Sequence, residues 1–267
     1  MNAPHTDSLL LTARDGAVLR LSLNRPQARN ALSSALMGAM AQALDAAAAD
    51  AGVRVVILAA EGNVYSSGHD LKEMQARRAE GDKGAAAFAA LFRQCSTLMQ
   101  QIVTIPKPVI AEVQGTATAA GCQLVASCDL AIASEVARFA TPGVDIGLFC
   151  STPMVALSRS IGRKLAMEML LTGEPINAND ARRMGLVNRV VGPAALRGET
   201  MALAQKIASK PRATVRTGKE AFYRQIEMPL AEAYDYASRV MTENMLDAEA
   251  EEGVCAFLEK RPPKWPQ

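Results

Sequence analysis

The sequence predicts an α/β fold followed by a helical C-terminal region. Segments with the apolar spacing of strands alternate with segments of helical spacing along the first two thirds of the chain. Several predicted strands are continuous runs of β-branched and apolar residues, which indicates strands buried on both faces. After about residue 194 the strand patterns stop, and helical spacing continues to residue 260. We therefore predict an α/β core at residues 1–193 and a helical region at residues 194–267.

The first predicted elements are a strand, a helix and a second strand. Val18–Leu23 alternates apolar and polar residues, as a half-buried strand does. Residues 32–49 are rich in alanine with helical spacing, and Ser33 or Ser34 can cap the start of that helix. Residues 53–59 form a β-branched apolar run, which predicts a buried strand. A helix between two strands is typical of right-handed crossover connections.

The later elements continue this alternation and then become helical. Residues 85–105 have helical spacing that ends before Pro106, since a residue that precedes proline disfavours helical backbone. Strands are predicted at Val109–Val113 and at residues 130–133, with a turn of small residues at 115–121 between them. The C-terminal helices are predicted at residues 194–209, 213–225, 231–244 and 248–259.

The composition restricts the classes of partner. Hydrophobic residues make up 49% of the 267 residues and charged residues 21%, so the chain can bury a sizeable core. The net charge is +2, and no basic stripe with interleaved aromatic residues suggests binding to nucleic acid. No uncharged apolar stretch is long enough to span a bilayer, and the N-terminal residues lack the pattern of a secretory signal. We therefore expect a small-molecule partner, with neither nucleic acid nor a membrane.

The cysteines and histidines narrow the chemistry further. Five cysteines without a C-x-x-C pair argue against a disulfide framework or a metal site, so no metal ion is expected. Reduced thiols are typical of a cytosolic protein, and the expected location is the cytoplasm. The two histidines are His5 and His69. Because His5 lies in a polar N-terminal segment, a mechanism that needs a histidine base must use His69.

Two loops of small residues carry the strongest indication of chemistry. One spans residues 65–72 after a predicted buried strand, and the other spans residues 115–123 between a strand and a helix. Small residues let a ligand approach the backbone, and unpaired N–H groups at a helix start attract negative charge. Two such loops side by side can direct two N–H groups at one oxygen and stabilise an enolate or a tetrahedral oxyanion. Ordinary tight turns would use the same residues, and spacing alone leaves both interpretations open.

Four segments of the chain resemble the crotonase superfamily of enoyl-CoA hydratases and isomerases. They are LNRPQARNAL at residues 23–32, VVILAAEGNVYSSGHDLKEM at 55–74, VIAEVQGTATAAGCQLVASCD at 109–129 and FLEKR at 257–261. The resemblance implies a crotonase-like ββα superhelical core with a C-terminal helical trimerisation region, as a homotrimer or a dimer of trimers. It implies an acyl-CoA substrate, with coenzyme A as part of that substrate and no permanently bound cofactor. The chain also resembles one subgroup, the enoyl-CoA hydratase domain-containing proteins.

The resemblance also implies positions for the site residues. The backbone N–H groups of His69 and Ala120 would form the oxyanion hole. Lys72 would lie near the phosphates of coenzyme A. Met241 and Lys260 would come from the C-terminal helices of the same or a neighbouring subunit. The complete coenzyme A groove would be formed by Ala28, Arg29, Ser67, Gly68, His69, Asp70, Leu71, Lys72, Met241 and Lys260.

The acid/base positions of the family hold other residues in this chain. Its hydratases use two glutamates, and those positions are Gln123 and Gly143 here. Some isomerases and hydrolases place a carboxylate about two turns later, where this chain has Ser151. Because neither an amide nor a glycine can accept a proton at pH 7, we expect hydration by a pair of glutamates to be slow. The nearest candidate substitutes are Asp145, Cys150 and the side chain of His69.

Three functions remain open at this point. The first is an enzyme of fatty acid metabolism that stabilises a thioester enolate, with another group carrying the proton. The second is a non-catalytic acyl-CoA-binding protein. The third is a thioester hydrolase with Ser151, Cys150 or Ser67 as its nucleophile, which requires His69 or Asp145 as the base.

Overall fold

A computed structural model describes residues 8–266, and within them ten strands and eleven α-helices. The strands are β1 (Leu10–Asp15), β2 (Val18–Leu23), β3 (Val55–Ala60), β4 (Val64–Ser66), β5 (Val109–Val113), β6 (Thr116–Thr118), β7 (Leu130–Ser134), β8 (Arg138–Ala140), β9 (Ile176–Asn177) and β10 (Arg189–Val191). The helices are α1 (Ser34–Ala49), α2 (Leu71–Arg77), α3 (Ala85–Thr104), α4 (Ala120–Ser127), α5 (Pro153–Ser160), α6 (Arg163–Thr172), α7 (Ala178–Met184), α8 (Leu196–Ala208), α9 (Arg212–Gln225), α10 (Leu230–Met245) and α11 (Ala248–Leu258). The predicted α/β class is confirmed.

The larger sheet has six strands in the order β1-β2-β3-β5-β7-β10. The hairpin partners β1 and β2 are antiparallel, whereas the other neighbours are parallel. Every residue of β3 and β5 is buried, which explains why their sequences are continuous apolar runs. Since the parallel strands point the same way, the segments that follow β3 and β5 emerge at one edge of the sheet.

The smaller sheet has four strands in the order β4-β6-β8-β9, and it repeats a simple pattern. Three times, a strand of the larger sheet is followed by a short strand of the smaller sheet and then by a helical segment: β3-β4-α2, β5-β6-α4 and β7-β8-α5. This is the ββα repeat that the resemblance implied. The sequence patterns did not indicate β4, β6, β8, β9 or β10, because strands of two or three residues are too short to show a period, and they also missed β1.

The helices that support the candidate site begin at defined caps. The Ser33 hydroxyl accepts a hydrogen bond from the Leu36 N–H at 3.2 Å and caps α1, as one of the two predicted serines. The apolar face of α3, with Leu91, Cys95 and Leu98 buried, packs on α1 and α4. Pro106 and Pro108 follow the end of α3, as the sequence predicts.

The C-terminal helices divide into those that cover the core and those that leave apolar side chains exposed. Helix α8 packs on the larger sheet, where its buried Ala204 meets Val55, Ile57 and Ile110. The ammonium group of Lys219 on α9 donates to the Asp129 carboxylate at 2.8 Å, which ties that helix to the core. Large exposed apolar residues of α9–α11 and the turn after α10 are Phe222, Leu230, Tyr234, Met241, Met245, Leu246, Val254, Phe257 and Leu258. A domain division at residue 194 stays a prediction, since α8 contributes to the core packing.

None of the helices in the described part of the chain is both long and apolar enough to cross a membrane. The same residues contain no cluster of three or more histidine, cysteine or carboxylate side chains that could hold a metal ion.

Candidate functional site

The first small-residue loop is joined to the segment before α1 by backbone hydrogen bonds. The Ser67 N–H donates to the Arg29 carbonyl at 3.0 Å, and the Leu32 N–H donates to the Gly68 carbonyl at 2.8 Å. Leu32 and His69 thereby form an isolated parallel bridge. The structure thus brings Ala28 and Arg29 next to Ser67 and Gly68, the two groups that the sequence assigned to one groove.

The second small-residue loop lies against the first. Gly68 has a φ of +89°, and a Cβ atom added to it would lie 3.2 Å from the backbone nitrogen of Ala120 and 2.9 Å from the Cβ of Ala119. At Gly121 an added Cβ would lie 2.3 Å from the Ser66 carbonyl oxygen. Glycine at these two positions therefore allows the loops to approach each other closely.

Two backbone N–H groups at this junction have no acceptor. Ala120 is the first residue of α4, so its N–H is one of those that a helix start leaves unpaired. Within residues 8–266, no carbonyl accepts a hydrogen bond from the N–H of His69 or of Ala120. Their neighbours are occupied, because the Asp70 N–H donates to Leu32 and the Ala119 N–H donates to Ala140 at 2.9 Å. Two free donors on adjacent loops have the chemistry of an oxyanion hole.

Side chains of the first loop hold its shape. The Asp70 carboxylate accepts from the N–H groups of Lys72 and Glu73 at the start of α2, and it pairs with Arg25 at 3.0 Å. Burial opposes ionisation of Asp70, but the hydrogen bonds from Arg25 and from the backbone hold its pKa below the ordinary value. Leu71 and Lys72 are exposed on the outer side of α2. The Asp70 carboxylate therefore holds the shape of the loop, whereas the Lys72 side chain is exposed.

The imidazole of His69 is partly buried and has no hydrogen-bond partner. Neither ring nitrogen is exposed to solvent or bonded to another described residue. The ring packs edge-on against Phe92 of α3, with 5.5 Å between the ring centroids. Burial lowers the pKa of His69, while the Leu32 backbone carbonyl, which is near the ring but not in hydrogen-bonding geometry, and the Glu73 carboxylate act in the opposite direction. His69 is therefore neutral at pH 7. His5 lies outside the described residues.

Gln123 is buried on α4 beside the junction of the two loops. Its exposed fraction is 4%, and its amide oxygen lies 3.9 Å from the thiol sulfur of Cys95 on α3. Its backbone carbonyl accepts from Ser127 at 2.8 Å. The amide can donate a hydrogen bond to a bound oxygen, but it cannot take a proton from carbon or water.

Gly143 is enclosed by the loop that follows it. A Cβ atom at this position would lie 2.4 Å from the Leu148 carbonyl oxygen and 2.9 Å from the Cys150 sulfur. The space in which a side chain would begin is therefore taken by the backbone and the thiol of the same loop. Burial raises the pKa of the Cys150 thiol, so it is protonated at neutral pH.

Asp145 and Ser151 lie on the same loop segment but are exposed. Asp145 is exposed, and its carboxylate oxygen lies near Gly173, at 3.1 Å from the position of an added Cβ. Ser151 is exposed, and its hydroxyl donates to the Phe149 carbonyl at 3.3 Å. Neither residue is bonded to a partner that would activate it. Met241 and Lys260 are exposed on α10 and just after α11, and no hydrogen bond or ion pair of the described residues joins them to the two loops.

The sequence pattern of the enoyl-CoA hydratase/isomerase family matches residues 13–267. The chain belongs to the enoyl-CoA hydratase/isomerase family.

Relatives agree with this assignment over nearly the whole chain. A Xenopus laevis protein named enoyl-CoA hydratase domain-containing protein 3, mitochondrial, is 49% identical over 98% of this chain and 87% of its own length. The human protein of the same name is 48% identical over 93% of this chain and 80% of its own. The resemblance to this subgroup is thereby confirmed.

Solved structures of the family superimpose closely. A crystal structure of enoyl-CoA hydratase from Mycobacterium smegmatis has a TM-score of 0.93 at 55% identity and covers 97% of this chain and 99% of its own. The crystal structure of human enoyl-CoA hydratase domain-containing protein 3 has a TM-score of 0.92 at 46% identity and covers 97% of this chain and 100% of its own. The predicted crotonase-like fold is confirmed.

The predicted cytoplasmic location is wrong by the same comparison. The relatives from Xenopus laevis, mouse and human carry the word mitochondrial in their names. The expectation rested on reduced cysteines and on the lack of a secretory signal. Both features are compatible with any reducing compartment, so they could not distinguish the cytosol from an organelle.

Sequence reasoning missed Phe92 and Cys95, which place α3 against the two loops. Their spacing belongs to the apolar face of α3, which includes Leu91, Leu98 and Ile102. Such a stripe predicts helix packing and does not reveal which of its members face a ligand. The resemblance stated from the sequence draws attention to the glutamate positions but not to α3.

The five cysteines are all free thiols. Burial raises the pKa of Cys95 and of Cys122 to about 12. Burial also raises the pKa of Cys128, which is half-buried. Cys255 on α11 is the exposed member of the five. None of the four inner thiols is a thiolate at neutral pH, so none is an activated nucleophile.

Proposed function

We propose that this family member binds an acyl-CoA thioester with the carbonyl oxygen between the N–H groups of His69 and Ala120. The supporting observation is that these two N–H groups are unpaired and lie on loops in contact with each other. Hydrogen bonds to the carbonyl oxygen withdraw electrons from the α-carbon and stabilise the enolate that forms when a proton leaves it. The function that the site supports best is therefore thioester binding with enolate stabilisation.

Hydration by a pair of glutamates does not fit this site. Gln123 offers an amide, and Gly143 is enclosed by the Leu148 carbonyl and the Cys150 thiol. Asp145, the nearest candidate carboxylate, is exposed. An isomerase needs one group that moves a proton, whereas a hydratase must also activate water, so the site is closer to the needs of an isomerase.

A non-catalytic acyl-CoA-binding protein is the second candidate. It is favoured by the lack of a carboxylate at Gln123 and Gly143, because binding needs the oxyanion hole and the groove but no acid/base pair. A thioester hydrolase has less support, since Ser151 donates to a backbone carbonyl and the Cys150 thiol is protonated. The neutral imidazole of His69 makes no hydrogen bond to any of these nucleophiles.

For the coenzyme A part of the ligand we propose the groove beside the first loop. Arg29 and Lys72 are exposed there, and their positive charges suit the phosphates. Met241 and Lys260 would reach this groove from a neighbouring subunit in a homotrimer or a dimer of trimers. The exposed apolar residues of α10 and α11 support such an assembly, because contiguous apolar patches usually mark interfaces.

A pair of glycine variants tests the oxyanion hole. Gly68→Ala places a methyl group 3.2 Å from the Ala120 nitrogen. Gly62→Ala is the control, because it has comparable backbone strain, with a φ of +80° and a contact of 2.8 Å to Pro26, but does not contact Ala120. Binding of free CoA and of a saturated acyl-CoA is measured by calorimetry. We expect Gly68→Ala to weaken acyl-CoA binding roughly fivefold to tenfold more than it weakens CoA binding, because free CoA has no thioester carbonyl, and Gly62→Ala to leave both unchanged.

The same variants are then assayed with a conjugated enoyl-CoA. Polarisation of its carbonyl shifts the absorption to longer wavelength, and this shift should appear with the unmodified protein and vanish with Gly68→Ala. Equal binding of CoA and acyl-CoA by the unmodified protein, without a spectral shift, would contradict the proposed function. A panel of enoyl-, 3-hydroxyacyl- and saturated acyl-CoAs then separates the enzyme from the non-catalytic binder.

A further inference from the structure

A second, basic cavity lies at the opposite edge of the larger sheet from the two loops. Its volume is about 110 Å³, and its lining includes four basic residues and no carboxylate. Arg54 directly precedes β3, and Lys107 and Pro108 directly precede β5. The oxyanion loops follow the carboxyl ends of the same strands, so the cavity is distinct from the proposed acyl-CoA site.

The basic side chains come from two different parts of the fold. Arg54 and Lys107 belong to the α/β core, whereas Arg212 and Arg216 are one turn apart on α9. The core pair is held in place, because Arg54 donates to the Lys210 carbonyl and Lys107 donates to the carbonyls of Ala47 and Asp50. Among the described residues, neither Arg212 nor Arg216 pairs with a carboxylate or donates a side-chain hydrogen bond.

The carboxylates near the cavity are already engaged elsewhere. Asp50 pairs with Arg14 at 2.8 Å and accepts from the Gly52 N–H at 2.7 Å. Glu249 accepts from the N–H groups of Ala213 and Thr214 at 3.0 and 2.9 Å, so it occupies the start of α9. The four cations therefore converge without an anion among the residues that line the cavity.

The positive charges around this cavity repel one another. Burial lowers the pKa of Arg54, and the neighbouring Arg212 charge lowers it further, against the attraction of the Glu249 carboxylate. Burial also lowers the pKa of Lys107, and Arg212 again acts in the same direction, against the attraction of Asp50. An anion placed between the core pair and the α9 pair would replace this repulsion with charge-assisted hydrogen bonds.

We propose that this cavity binds a small tetrahedral oxyanion of the phosphate or sulfate class, which joins α9 to the α/β core. The volume holds a few water-sized atoms, which suits four oxygens around one centre and excludes a nucleotide. Guanidinium groups match the oxygen pairs of such an anion. The bound anion adds to the Lys219–Asp129 ion pair as a second attachment of the same helix.

Thermal unfolding with inorganic phosphate tests this site. Phosphate is titrated against sodium chloride of matched ionic strength, with sulfate and glycerol 3-phosphate as further arms. We expect a saturable rise of the melting temperature with phosphate and sulfate, of roughly 5 °C at a hundredfold excess over Kd. A rise with glycerol 3-phosphate alone would show that the site takes a phosphomonoester, and the proposal of a free anion would be overturned.

Charge-removal variants locate the effect. Arg212→Gln/Arg216→Gln should abolish the phosphate response, while its melting temperature in chloride should be equal to or above that of the unmodified protein, because repulsion is relieved. Arg163→Gln/Arg197→Gln is the control, since it removes two exposed arginines that have no ion pair within residues 8–266. A phosphate response that persists in the first variant, or none in the unmodified protein, would overturn the site. Acyl-CoA binding should be equal in all three proteins, so this test does not depend on the proposed function.

Discussion

At residue scale, His69 combines two groups with separate consequences. Its backbone N–H is a free donor beside Ala120, whereas its imidazole is packed on Phe92 with both nitrogens unbonded. A buried polar group without a partner costs stability, so an apolar ring should serve the fold at least as well. If only the backbone N–H serves the ligand, the side chain can be changed without loss of function.

His69→Phe tests this separation. A lowered pKa means that the folded protein binds fewer protons than the unfolded chain, so stability falls as pH drops below the ordinary histidine value of about 6.5. We expect His69→Phe to unfold at equal or higher temperature at pH 7 and to lose less stability between about pH 6.5 and 5. Thermal melts over that range measure it, and acyl-CoA binding should persist. Loss of turnover with intact binding would instead identify the imidazole as the proton carrier.

Gln123→Glu tests the missing acid/base pair one residue at a time. The new carboxylate would be buried beside Cys95 on an already folded helix. Positioned acid/base groups contribute about a hundredfold to ten-thousandfold each, but members of a pair act together. We expect crotonyl-CoA hydration to start near background and to rise at most about a hundredfold. Gln100→Glu, the same change on the exposed side of α3, is the control. Fast hydration by the unmodified protein would show that another residue supplies the proton.

At the scale of elements, the loop from Gly143 to Cys150 decides what the second glutamate position can hold. The backbone carbonyl of Leu148 lies where a Cβ would be, so the obstacle is the path of the loop and not a movable side chain. From the sequence alone, a glutamate at residue 143 looks like a simple restoration of the family pattern. The structure shows that the loop would have to take a different course before that residue could carry a side chain.

Gly143→Ala measures this obstacle. We expect a loss of roughly 1–3 kcal/mol in unfolding free energy, as for overpacked positions. Adding Cys150→Ala should recover little, because the Leu148 carbonyl contact at 2.4 Å remains. Gly192→Ala is the control, since an added Cβ there meets nothing within 4 Å. Chemical denaturation gives the values, and wild-type stability for Gly143→Ala would show that the loop is free to move.

The elements also show what could be read from the sequence. Val18–Leu23 and Val109–Val113 were predicted with the bounds that they have, because their apolar patterns are clear, whereas β1, of the same length as Val18–Leu23, was not predicted. The smaller sheet was missed, although it positions both loops through β4 and β6. Likewise, Gly68 and Gly121 stood out as small residues, but only the fold shows that each faces the backbone of the other loop. Contacts between distant segments leave no local pattern.

At the scale of the whole molecule, the exposed apolar side chains of α10 and α11 predict self-association. Leu246, directly after α10, is 84% exposed, and Phe257 on α11 is 82% exposed, while both helices also pack on α9. Such residues are costly on the surface of a monomer. In the proposed trimer they would be covered, and Met241 and Lys260 would lie near a neighbouring groove.

Sedimentation of the protein at micromolar concentration measures the assembly. We expect a trimer or hexamer for the unmodified protein and smaller species for Leu246→Glu/Phe257→Glu, because burying two charges without partners is unfavourable. Ala202→Glu/Gln205→Glu on the exposed side of α8 adds the same charge and should leave the assembly intact. A monomer in the unmodified protein would contradict the prediction.

The distribution of the cysteines gives the molecule one natural site for attaching a dye. Four thiols are buried or half-buried with raised pKa values, whereas Cys255 is exposed on α11. A maleimide dye at neutral pH should therefore label one position without any engineered cysteine. Because Cys255 lies among the apolar residues that the proposed trimer would cover, the rate of dye labelling should fall as the protein concentration rises and subunits associate.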